Sequence, residues 1–133
     1  MTTKKQGAKY VDGFVLVVPK KNVVAYKKMA KEAKEVWVKF GALDYKECMG
    51  EDLNPKQPEG SPALPLAFAS IVKAGPEDTV WFSYITFKNK THRTQVNKKV
   101  MAHFDKKYKG KEDTPMPFDM NRMAYGGFSV QVG

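Results

Sequence analysis

The chain carries one cysteine, two histidines and, among 23 basic residues, two arginines. Each scarcity excludes something. Cys48 alone makes no internal bridge, so a disulfide scaffold is out and a reducing compartment is the economical expectation. His92 and His103 stand eleven apart, and no HExxH or CxxC spacing occurs, so neither a metal site nor a cofactor is expected. Structural roles fit both histidines and Cys48. Gly126-Gly127 lies in no GxGxxG or GxxxxGK pattern, which favours a strand bulge or a close backbone approach over a phosphate loop. The apolar run 14–18 is shorter than a signal-peptide core or a membrane span, and the expectation is a soluble, cytoplasmic protein without a membrane partner. The shortage of arginine, whose planar guanidinium suits phosphates and base edges, argues against nucleic acid.

The 133 residues suit a single domain, with 1–9 read as a polar tail and 50–65 as one long loop holding four prolines. The formal charge of +9 is uneven: +7 over 1–40, −4 over 41–87, +8 over 88–111 and −2 over 112–133. A mainly solvated lysine surface accounts for it.

Residues 10–18 read as a first strand, with Asp12-Gly13 a candidate bulge. Pro19 ends it, and Asn22 is placed to cap a helix. From 23 to 40, Val23, Tyr26, Met29, Ala30, Ala33, Val36, Trp37 and Phe40 keep the spacing of one helix face, and Gly41 supplies the stop. Residues 43–49 alternate Leu43, Tyr45, Glu47 and Met49 against Asp44, Lys46 and Cys48, a half-exposed strand. Residues 66–73 are expected to form a short strand in a hairpin with 79–87. A second helix, capped by Thr91, carries Val96, Val100, Met101 and Phe104, and 122–132 is the last strand, interrupted at Gly126-Gly127. Such an order is the α+β solution, two helices on one side of an antiparallel sheet. The strand TVWFSYITF, 79–87, is apolar on both faces, while helices cover one; a two-fold homodimer would bury the other.

Four segments, YVDGFVLVVP (10–19), GALDYKECMGEDL (41–53), TVWFSYITFKNKTHRTQVNKKVMAHF (79–104) and MPFDMNRMAYGGF (116–128), together resemble the DUF1428 family. The resemblance implies a ferredoxin-like sheet in a dimeric α/β barrel. It brings no activity and no catalytic residues. Residues 105–113 depart from it, with lysines where the family has a shorter aspartate-proline-arginine turn. The wider superfamily holds cofactor-free monooxygenases and binding proteins, a likeness of fold alone.

Within the chain, Asp12 interrupts an apolar strand, so it is either exposed or held by a partner. Asp119 and Arg122 are spaced to pair locally or together to line a cleft mouth. A ligand site is expected where Asp12, Trp81, Phe118, Arg122 and Tyr125 converge under a 50–65 lid, the aromatics holding a small apolar ligand and Arg122 an anionic group. Two functions compete: a small-molecule binder or cofactor-independent oxygenase-like protein, and a non-catalytic protein whose lysine-rich surface 88–111 docks an acidic partner or nucleic acid.

Overall fold

The computed structural model describes residues 7–111 and 113–133, so residues 1–6 of the expected tail lie outside the described residues. The ladder already reaches Lys9, whose N–H donates to the Phe87 carbonyl at 3.0 Å and whose carbonyl accepts from Val130 at 2.9 Å. Along the chain come β1 (Tyr10–Pro19), α1 (Val23–Lys39), β2 (Asp44–Met49), a single helical turn α2 (Phe68–Ile71), β3 (Asp78–Phe87), α3 (Lys90–Lys107) and β4 (Ala124–Ser129). Short 3-10 turns at Lys20–Asn22 and Met120–Arg122 precede α1 and β4. The strands form one antiparallel sheet in the order β2-β3-β1-β4, and the class is α+β. Among the described residues no helix is long and apolar enough to cross a membrane.

Strand partners directly opposite one another share a face of the pleat. β1 runs against β3 from Tyr10 opposite Phe87 to Pro19 opposite Asp78, so Tyr10, Asp12, Phe14, Leu16 and Val18 share a face with Trp81, Ser83, Ile85 and Phe87. Both long helices lie on that face. Val36 of α1 and Val96 and Val100 of α3 enclose Tyr10, Tyr45, Ile85 and Phe87, while Tyr26 and Ala30 of α1 cover Leu16, Val18 and Trp81. At about 1.5–3 kcal/mol for each large apolar side chain buried, this contact is what holds α1 on the sheet.

The opposite face receives no long helix. Leu53, Ala69, Val72 and Ala74, from the connection between β2 and β3, pack over Val17 and Val80 at one end of it. Towards the other end Phe82 and Phe128 stay 46% and 62% exposed.

Three expectations change. Residues 66–73 are not a strand: both edges of β3 are already taken, by β1 and β2, and the segment instead closes a helical turn in which Val72 donates to the Phe68 carbonyl at 3.2 Å. The antiparallel partner of β3 from the preceding chain is therefore β2, Asp44 opposite Thr86 through Met49 opposite Trp81. Gly126 and Gly127 do not interrupt β4, since they pair in register with Gly13 and Asp12. A Cβ at Gly127 would overlap the Tyr10 hydroxyl, so close approach, not a bulge, is what glycine permits there. Helix ends shift slightly. Asn89, not Thr91, caps α3, its Oδ1 accepting from the His92 N–H at 2.8 Å. Asn22 occupies the N-cap of α1 without a side-chain bond, and Met101 points outward.

Candidate functional site

Two polar centres lie within the layer between sheet and helices. The first is built on Glu47. In β2 it sits opposite the buried Ser83, on the helix-facing side, and α1 brings Tyr26 over it. Tyr26 Oη donates to Glu47 Oε2 at 2.9 Å and Tyr45 Oη to Oε1 at 2.7 Å, with Ser83 a further hydrogen-bond partner. Burial raises the Glu47 carboxyl above its ordinary value of 4.5, and the three hydroxyls, which favour the charged form, oppose this without cancelling it. Burial also pushes both tyrosines upward, reinforced by the Glu47 charge. The acid thus holds its proton more tightly than a solvated carboxyl, beside hydroxyls ready to stabilise the anion when the proton leaves.

Beside this carboxyl runs a groove of about 430 Å³, open to solvent, between α1 and the β2 edge. Its apolar side is Trp81, Met49 and Tyr45; its rim is Lys27, Lys31 and Lys34, which recur along one face of α1.

The second centre lies two strands over and two residues along, roughly 12 Å away by sheet geometry. Asp12, 1% exposed, receives Arg93 from the first turn of α3, Nη1 to Oδ1 at 3.4 Å. Arg93 also donates to Tyr125 Oη and Tyr10 Oη, each at 3.1 Å, and its guanidinium lies 5.0 Å from the Tyr10 ring centroid. Asn97 bonds Asp12 and accepts from Trp37 Nε1 at 3.1 Å. Burial raises the Asp12 carboxyl, with Arg93 and then Asn97 opposing. Arg93 Nε is buried without a partner among the described residues. The group is a braced polar plug between β1, β4 and the helices.

The five residues expected to converge divide among three places. Trp81 lines the groove, and both it and Phe118 pack on Tyr26, with ring centroids at 4.9 and 5.9 Å. Asp12 and Tyr125 share Arg93, and Tyr125 stacks on Phe14 at 4.8 Å. Arg122 donates to Asp78 and Asp119, both at 2.7 Å, and to the Lys73 carbonyl at 3.1 Å. Its guanidinium holds both carboxyls below the usual range. Asp78 lies opposite Pro19, seven residues along β1 from Asp12, so Arg122 sits roughly 24 Å from the Asp12 group. At its start the 50–65 loop packs Leu53 on the other face, and no residue of 50–65 lines the groove beside Trp81.

Sequence reasoning passed over Glu47, Tyr26, Tyr45, Arg93 and Asn97. One signal was present for Glu47: it falls in the apolar phase of 43–49, with Tyr45 and Met49. Arg93 shares its helix face with Val96 and Val100, the spacing of an inward residue among lysines. Both histidines serve packing. His92 accepts from the Lys88 N–H at 3.0 Å, and His103 meets Phe40 and Phe104 edge-on at 5.9 and 5.4 Å. No cluster of three His, Cys, Asp or Glu side chains suited to a metal ion occurs among the described residues.

Over residues 9–120 the chain matches the family model described as "Protein of unknown function (DUF1428)". It is similar to the uncharacterized protein YbaA of Escherichia coli (strain K12), 40% identical over 120 residues that cover 90% of this chain and 94% of that one. The proteins of the same name from Escherichia coli O157:H7 and Shigella flexneri match at the same identity and coverage.

Proposed function

The chain belongs to the DUF1428 family, whose description assigns no activity, and from its own geometry we propose that it binds a small organic acid beside Glu47 and exchanges a proton with it. The observation that carries this reading is the Glu47 carboxyl, raised by burial and held by two tyrosine hydroxyls, at the side of a groove large enough for a small molecule. Met49, half exposed, offers an apolar body its contact surface beside the edge of the buried Trp81, and Lys27, Lys31 and Lys34 offer an anionic group its charge partners. Glu47, as the anion held by the Tyr26 and Tyr45 hydroxyls, takes an acidic proton from the ligand and later returns it, and while Glu47 is neutral the lysines at the rim balance the charge left on the ligand. Loss of such a proton is also the opening step of a cofactor-independent oxygenation, which keeps that activity within the reading.

The strand order and the shared face of α1 and α3 support a ferredoxin-like fold, and the bare aromatic end of the second face supports a homodimer of the dimeric α/β-barrel kind. A cytoplasmic setting goes with the same reading. The alternative, a lysine-rich 88–111 surface docking an acidic partner or nucleic acid, ranks below it because Arg93 turns inward to Asp12. Binding of that kind would fall by decades between low and physiological salt.

Trp81 supplies the test. In a Trp37→Phe background its fluorescence should change saturably with benzoate and cinnamate but not with neutral benzamide, and Lys31→Ala/Lys34→Ala should weaken the response several-fold. No saturable change, or an equal response to benzamide, contradicts the proposal.

A further inference from the structure

Between β2 and β3 the chain displays Leu64, Leu66, Phe68 and Ile71 at 79%, 78%, 47% and 51% exposure, four large apolar side chains within eight residues. Where the same connection meets the sheet, Val15, Cys48, Leu53, Phe68, Val80 and Phe82 line a cleft of about 120 Å³, the scale of one aliphatic side chain. Leu64 and Leu66 stand in solvent, so they do not fill the cleft of their own chain. One molecule thus carries both an apolar projection and an apolar recess.

We infer that Leu66 of each copy seats in the cleft of a second copy, with Leu64 packing at its mouth, so that the two connections clasp a two-fold dimer; this rests on the homodimer proposed above. Area favours the clasp. The bare end of the sheet spans about five residues on four strands, roughly 17 by 19 Å and so on the order of 300 Å² in projection. A stable dimer buries about 800 Å² of accessible surface per partner, more than a patch of this projected size readily supplies, and the connection adds to it. Charge agrees. Each copy carries +9, and two such copies approach best across a face where charge cancels. The side chains that the four strands present there include two charges, Asp44 and Lys46, which pair with each other at 2.9 Å. Closure decides the symmetry: a projection seated in a remote recess builds filaments unless a two-fold axis makes the exchange reciprocal.

Light scattering on the full chain and on Leu64→Asp/Leu66→Asp tests this, with circular dichroism to show that the fold persists. The inference expects a dimeric parent and a folded, monomeric variant. In addition, Leu66→Cys should be joined to Cys48 of a second copy by a short bis-maleimide, giving a covalent dimer on a denaturing gel that disappears on further Cys48→Ser. A variant that keeps the dimer mass, or a cross-link confined to one chain, overturns the clasp and leaves the homodimer standing. A monomeric parent at micromolar concentration overturns the homodimer itself.

Discussion

Glu47 shares its phase of β2 with Tyr45 and Met49, and that phase faces α1. A carboxyl in such a place favours its neutral form, so above about pH 4.5 the folded chain binds more proton at this site than the unfolded chain. The stability contributed by this group is accordingly full at low pH and is lost as pH rises from 4.5 through the folded value. Glu47→Gln keeps the shape while removing the titration. Its thermal midpoint, measured against the parent from pH 4 to 8, should gain on the parent as pH rises; a constant difference contradicts the burial argument. Asp12 illustrates what one side chain in a strand can reveal. An acid among Val11, Phe14 and Val15 had to be exposed or partnered, and it is partnered; the partner, Arg93, is 81 residues away and no local pattern names it. Arg122 and Asp119, three apart, were legible because their contact is local.

At the scale of elements, α1 was readable in full because one stripe of side chains meets one sheet face. Residues 66–73 were not. Their short apolar run suits a strand or a helical turn equally, and what decided was occupancy elsewhere: β1 and β2 flank β3 and leave it no edge. The glycine pair in β4 was read as a break for a related reason, since the ring that explains Gly127 comes from β1. The two glycines differ sharply in what a methyl group meets. At Gly127 it overlaps the Tyr10 hydroxyl, which receives Arg93, whereas at Gly126 it lies 3.5 Å from the Phe128 ring, ordinary contact. Gly127→Ala should therefore lower stability measurably, because the Tyr10 hydroxyl and its Arg93 hydrogen bond must shift, and Gly126→Ala much less. Urea midpoints for the two variants check this, and equal losses would mean that Tyr10 moves aside freely.

For the whole molecule, the two faces of the sheet divide the work. The helix-covered face holds the groove, Glu47 and the Asp12 plug; the other gives one end to the β2–β3 connection and leaves the rest, around Phe82 and Phe128, exposed. The strand 79–87, apolar on both sides, made this division foreseeable, but the half-cover by the connection was not, because it depends on how 50–77 returns across the sheet. The positive charge has a related meaning: lysines on α1 edge the groove, so part of the +9 lies where an anion would bind. The most direct measurement is a carbon-13 titration of the Glu47 carboxyl in the intact protein, with and without benzoate. The expected result is a midpoint above 4.5 that shifts when benzoate binds. A midpoint at the ordinary value of a solvated glutamate, indifferent to benzoate, would contradict the account.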